Sequence, residues 1–185
     1  MSNDRARSTL VSLVILLTCG QTVLSGSRVA VSLDALQRGV SPAGVGLLLS
    51  MFALLPMICA LHSGRLVDRV GGAGPMLAGT LCLAAGVGLP VIFAGLGGLY
   101  LAAPLIGVGF MVTQIAVQRA VGDLGQPEDR AANFGRLALG SSIANFAGPL
   151  IAGLTIDSFG HRAAFGALAV LSLVPLLIHA RRRET

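Results

Sequence analysis

Gly64-Arg65-Leu66-Val67-Asp68-Arg69-Val70-Gly71 places three charges and two glycines in eight residues, and its reading decides the fold. Upstream, residues 39–63 carry no Arg, Lys, Asp or Glu; downstream, the uncharged run extends from Gly72 to Gln118. Such runs are long enough for the roughly 20 apolar residues that cross a bilayer. The charged octet therefore reads as a tight turn between two membrane helices, with Asp68 and Arg69 at the lipid-water boundary. The spacing recurs in Gly153-Leu154-Thr155-Ile156-Asp157-Ser158-Phe159-Gly160, at an offset of 89 (153 minus 64) and again between apolar runs. An internal repeat accounts for both copies.

Composition agrees. Hydrophobic residues make up 54% of the 185 and charged residues 11%, where a soluble domain has about 25% charged. Six spans with short turns consume the whole length, so residues 1–185 form one transmembrane domain. Every basic residue is an arginine, and most lie between apolar runs. With a single tyrosine and no basic stripe, a nucleic-acid partner is excluded. Cys19, Cys59 and Cys82 sit inside apolar runs with no further ligand at metal spacing, so they read as small core residues, and no metal or cofactor is expected.

Along the chain, helices are expected at about 9–33, 42–62, 75–94, 99–121, 133–156 and 163–179. The first run follows Arg5 and Arg7, and Ser25-Gly26-Ser27 mimics a cleavage region. Five further apolar runs follow it, however, so it is expected to stay as a helix. Ser41 and Pro42 signal the start of the second helix as cap and first residue. Gly95-Leu96-Gly97-Gly98 breaks the third from the fourth, and residues 125–130 form a polar loop. With a cytoplasmic N-terminus, that side holds Arg5, Arg7, Arg65, Arg69, Arg119, Arg130, Arg136, Arg181, Arg182 and Arg183. The other side holds Arg38 and Arg162. Both termini are therefore expected inside, in the plasma (inner) membrane.

Polar residues inside the spans mark the candidate cavity. Thr18, Gln21, Ser25, Arg28 and Ser32 share one face of the first helix. A guanidinium at mid-membrane costs about 2.5 to 3.5 kcal/mol on insertion scales, and it would seldom face lipid. Arg28 thus looks into a polar cavity, unless the helix ends early and the side chain snorkels to the surface. Helix four offers Gly107, Met111, Gln114 and Gln118 on one face, as ligands or as interhelical glue. The third and sixth helices carry almost no interior polar groups and are expected against lipid. In helix five, Gly140, Ala144 and Gly148 form a small-residue face, Pro149 permits a bend, and Asn145 and Ser141 lie beside the seam. Asp34, the only carboxylate near the first helix's outer end, is a candidate proton carrier, but reads first as a plain solvated partner of Arg38 one turn on. The apolar walls suit a substrate without high charge.

These residues resemble the N-terminal half of a major facilitator superfamily transporter. Gly64, Leu66, Asp68, Arg69 and Gly71 match the family's signature between its second and third helices. Gly148, Pro149 and Gly153, with Gly135 upstream, are similar to the helix-five signature of its proton-driven antiporters, with Ala144 and Ala152 where glycine is usual. Gly72 and Ala73 stand where the family has basic residues, Ala103 where many members have an arginine, and six helices where members have twelve. The resemblance implies an all-α membrane fold of six helices in a 3+3 inverted repeat, with Gly153, Asp157 and Gly160 as the inverted echo of the first motif. It further implies alternating access, Asp68 and Arg69 as gate residues, and proton-coupled export of a small molecule. The partners are then lipid, a substrate, and a second six-helix half or a copy of this chain. A half-size protein that works only as a dimer, or is inactive, is the alternative. An enzyme is not expected: Gly140-Ser141-Ser142 lacks a nearby histidine, since His62, His161 and His179 fall at helix ends, and the acids are scattered.

Overall fold

The structure, a computed structural model, describes residues 3–124 and 126–183, with side chains over 6–124 and 126–177. Gly125 of the expected loop, and the side chains of Arg5, Arg181, Arg182 and Arg183 counted for orientation, lie outside the described residues. Six helices follow one another: α1 (Asn3–Gln37), α2 (Pro42–Val70), α3 (Ala73–Ile92), α4 (Leu96–Gly122), α5 (Arg130–Phe159) and α6 (His161–Arg183), with a short 3-10 turn at Pro127–Asp129. The described part of the chain contains no strand. Five of these helices are long and apolar enough to span a membrane, and in the sixth the apolar stretch is His161–Leu177.

Local chemistry sets the ends. Ser41 caps α2, its hydroxyl accepting from the Gly44 amide at 3.2 Å, with Pro42 in the first turn as its fixed φ favours. The far end of α2 differs from the sequence expectation. The helix does not stop near His62 but continues to Val70, so Gly64, Asp68 and Arg69 are helical and the turn is Gly71 and Gly72. The charges mark where the helix leaves the bilayer and not where it stops.

What stops it is Gly71, at φ 81° and ψ 169°, a region open essentially to glycine alone. Its amide donates back to Val67 at 3.1 Å. At the repeated position Gly160 has φ 83° and ψ 172° and donates to Ile156 at 2.8 Å, so α5 too overruns its expected end. Elsewhere α1 extends past 9–33 in both directions, and α4 starts at Leu96 inside the glycine run. Helix α3 starts at Ala73, leaving Pro75 within its first turn, while α5 starts at Arg130 and α6 at His161.

The packing repeats as well. Helix α1 packs on α5 and α6, α4 packs on α2 and α3, α1 meets α4, and α3 meets α6. Exchanging α1 with α4, α2 with α5 and α3 with α6 leaves this pattern unchanged. Three spans per unit place the second unit upside down relative to the first, which makes the architecture a 3+3 inverted repeat.

Glycines set the closest seams. A Cβ on Gly79 of α3 would lie 2.7 Å from the Gly109 carbonyl of α4, and one on Gly26 of α1 would lie 2.8 Å from the Gly148 carbonyl of α5. Exposed apolar side chains occur on α3 and α6, expected against lipid, at Leu81, Ile92, Val170, Leu173 and Leu177, and on α2 and α5 as well. The small-residue face of α3 draws it onto α4, and on α2 and α5 the exposed apolar residues include Met57, Ile58, Leu61, Leu139, Phe146 and Leu154.

Candidate functional site

The expected polar face of α1 is divided in the structure. Ser25 turns into the α1-α5 seam, where its hydroxyl donates to the Ala144 carbonyl at 3.0 Å beside Gly148. Ser25 is thus seam glue, and its removal from the free cavity wall follows from the close approach that Gly26, Gly140 and Gly148 permit. One turn inward, Gln21 Nε2 donates to Asn145 Oδ1 at 2.8 Å, which joins the two expected cavity residues of α1 and α5 side chain to side chain.

Arg28 goes the other way. Its guanidinium lies over the Phe52 ring of α2, 5.8 Å from the centroid. It borders an open cleft of about 450 Å³ with Val29, Ser32 and Leu49. The depth follows from Phe52, which is ten residues past Pro42 and thirteen before Arg65. At 1.5 Å per residue these are about 15 Å and about 20 Å along α2. Arg28 therefore sits near mid-span, and α1 does not end early to let it reach the surface. Among the described residues no carboxylate pairs with it.

Phe52 is itself 2% exposed, and its carbonyl rests against Gly107 of α4. Gln114 and Gln118 follow two and three turns further along that face of α4, the first half-buried and the second exposed, and neither side-chain amide has a partner among the described residues. Of the expected cavity residues, Arg28, Gln118 and Asn145 are exposed and Gln21 and Gln114 half-buried, and only Gln21 and Asn145 are joined to each other. Pro149 lies within α5 between Gly148, pressed on α1, and Gly153, which has no atom within 4 Å of a Cβ position.

At the arginine-rich end, the motif from Gly64 to Gly71 is joined to α4. Arg119 forms an ion pair with Asp68, and its Nε is 3.9 Å from Asp123. Sequence reasoning placed Arg119 at this end but missed the pairing, because nothing in the spacing of Asp68 and Arg119 brings α2 and α4 together. Arg69 is exposed and Gly64 half-buried, and among the described residues Arg69 forms no ion pair. The repeated Asp157 has no ion pair among the described residues, since Ala30 stands at the position 89 before Arg119.

The same end carries a second cleft, about 640 Å³ between α1 and α5, bordered by Arg7, Val14, Thr18, Asn133, Arg136 and Gly140 among others. Arg136 donates to Asn133 at 2.9 Å there. At the opposite end Asp34 is paired with Arg38 at 2.8 and 3.1 Å, as the spacing suggested, but it is buried and not solvated as expected. Arg38 also reaches the Ala94 carbonyl, and Arg162 donates twice to Val91, so the two arginines tie down the end of α3. No group of three or more metal-ligating side chains occurs among the described residues.

A family model described as the Major Facilitator Superfamily matches residues 10–185. No curated protein matches the chain. Among solved structures, a peptide transporter POT in complex with sulfate superposes with a TM-score of 0.83 at 23% identity, over 95% of this chain and 37% of that one. The human organic anion transporter MFSD10 superposes with a TM-score of 0.79 at 22% identity, over 93% of this chain and 41% of that one. These likenesses show the fold, and this chain spans about two fifths of the length of both transporters.

Proposed function

The chain belongs to the Major Facilitator Superfamily, and from that premise we propose that it is one six-helix half of a secondary transporter that moves a small molecule by alternating access, exporting it in exchange for protons. The observation that carries this reading is Arg28, a guanidinium near mid-span, unpaired among the described residues and open to a cleft. An ionisable group at that depth is costly and marks a substrate or ion path. Gln21, Asn145, Gln114 and Gln118 extend the polar surface toward the arginine-rich end, and Ser25 backs it from the seam.

The remaining parts take their places around that path. Gly64, Asp68, Arg69 and Gly71, with Arg119, form the gate at the cytoplasmic end, and the ten arginines there orient both termini inward in the plasma membrane. Gly148, Pro149 and Gly153 allow α5 to bend beside α1, and the likeness of these residues to the antiporter signature is the ground for export and for protons. The exposed apolar faces of α2 and α5 receive the second six-helix half.

Export from cells tests the proposal. Cells making the full-length protein are loaded with a panel of lipophilic small molecules of differing charge. Faster expulsion of at least one compound than by cells making an Asp68→Asn variant, abolished by a protonophore, is the expected result. Equal rates for every compound overturn transport through this gate, and expulsion that ignores the protonophore overturns proton coupling.

A further inference from the structure

We infer that the substrate is an organic monoanion with an apolar body, whose oxyanion is taken by Arg28; this rests on the transporter reading above and names its substrate class. Charge balance is the first ground. Among the described residues the acid nearest Arg28 along α1 is Asp34, in the helix's last turn, and both its oxygens are committed to Arg38. Asp68, Asp123, Asp129 and Asp157 lie at helix ends or in connections, far along the axis from Phe52. This half therefore supplies nothing to neutralise the guanidinium at the level where Phe52 fixes it. In a cavity shielded from bulk water, an unpaired guanidinium is completed by an oxyanion, which its planar fork of donors binds in two-toothed fashion.

The second ground is how Arg28 is held. The Phe52 ring lies beneath the guanidinium, and stacking on a ring leaves the edge donors of the fork free to point into the cleft. Phe52 is locked in turn by burial and by the approach of α2 to Gly107 of α4. A charge that merely snorkelled would have a mobile side chain reaching for a helix end, not one laid on a buried ring.

The third ground is the shape of the rest of the cleft. Val29 and Leu49 supply apolar wall, and the Ser32 hydroxyl already donates to the Val29 carbonyl at 2.9 Å. Its hydrogen is therefore not free for the anion, and among the described residues no second basic group lines the cleft. One fork and apolar walls suit one negative charge on a largely apolar molecule, in keeping with walls that disfavour a highly charged one.

The test uses the full-length protein in detergent and three probes of matched size: octanoate, its neutral counterpart octanamide, and octyltrimethylammonium. Binding is read by isothermal titration and by the shift of the unfolding temperature, for the wild type, Arg28→Gln and Arg28→Lys. The expected result is that octanoate alone binds the wild type, with affinity at least tenfold weaker in Arg28→Gln and partly kept in Arg28→Lys. The lysine variant retains charge, so its folded binding controls for loss of structure in the glutamine variant.

Octanamide binding as well as octanoate, or octanoate binding untouched by Arg28→Gln, overturns the inference. So does octanoate failing to bind the wild type, and a lower unfolding temperature of Arg28→Gln in that case assigns the guanidinium to a carboxylate elsewhere in the full-length protein. The two readings fail separately. Arg28-dependent octanoate binding without export of any compound sinks transport and leaves the anion site. Export of neutral or cationic compounds alone, unaffected at Arg28, sinks the anion site and leaves transport.

Discussion

Asp68, on the last turns of α2, and Arg119, on the last turns of α4, form an ion pair that ties the motif from Gly64 to Gly71 to the second repeat within the same six-helix unit. Both side chains remain substantially open, at 69% and 41% exposure, so the pair is screened and contributes at most about 1 kcal/mol to stability. Its value to the fold is small. A function in closing the arginine-rich end would instead depend on Asp68 being charged and held. Asp68→Asn and Arg119→Gln are therefore expected to leave the unfolding temperature within a few degrees of wild type while lowering transport severalfold. The exchange Asp68→Arg with Arg119→Asp should recover part of the activity. Thermal unfolding alongside a transport assay measures both, and a large loss of stability with either single change would assign the pair a structural role.

The glycines of the motif divide by geometry. Gly71 ends α2 with a backbone that L-residues avoid, and the cost of forcing one there is about 1 to 3 kcal/mol. Gly64 is inside the helix, with no atom within 4 Å of a Cβ position, and a helix-interior alanine gains roughly 0.5 to 1 kcal/mol over glycine. Gly71→Ala and Gly160→Ala are thus expected to destabilise by similar amounts, and Gly64→Ala to stabilise. Should Gly64→Ala also impair transport, the need for glycine there comes from whatever approaches that face during the cycle. Unfolding of the three variants in one detergent decides the order.

Some of this was readable from residues in line and some was not. The long uncharged runs gave the helices, the Gly-Asp-Gly spacing gave the repeat, and both are local in sequence. The position of the α2 and α5 ends was misread because charge signals the lipid boundary, whereas the stop depends on the φ of Gly71 and Gly160. The Asp34-Arg38 pair was legible, since i and i+4 share a helix face. The Asp68-Arg119 pair, the Gln21-Asn145 contact and the Arg28-Phe52 stack were not, because each joins different helices and depends on how close the glycine seams let them come. Composition marked Ser25 as polar and on the cavity face, but only the proximity of Gly148 and Ala144 shows that it is spent inside the seam.

That seam gives a sharp contrast within the helix-five motif. A Cβ at Gly148 would lie 2.6 Å from the Thr22 carbonyl and 2.8 Å from the Gly26 amide, both backbone atoms that yield only if α1 and α5 separate. Overpacking of this kind costs typically about 1 to 3 kcal/mol. Gly153, five residues on, faces open space. Gly148→Ala should lower stability by that amount and Gly153→Ala should leave it level or raise it. Equal tolerance at both positions in a thermal-unfolding assay would contradict the close contact of α1 and α5.

The hydrogen bond from Gln21 to Asn145 bears on how the unit moves. It crosses the same seam at a point where Asn145 is exposed, so water competes for it and its net worth is about 0.5 to 1.5 kcal/mol. A double-mutant cycle of Gln21→Ala and Asn145→Ala should return a coupling energy in that range, whereas zero coupling would mean the contact is not made in the populated state. The glycine contacts on either side leave little freedom for sliding, and a rocking half carries its seams along as a rigid body. With Cys19, Cys59 and Cys82 replaced by alanine, a short thiol cross-linker between Gln21→Cys and Asn145→Cys should therefore leave most of the transport intact. Loss of transport on cross-linking, restored when the linker is cleaved, would show that α1 and α5 part during the cycle and that bending at Pro149, not rigid rocking, opens the path.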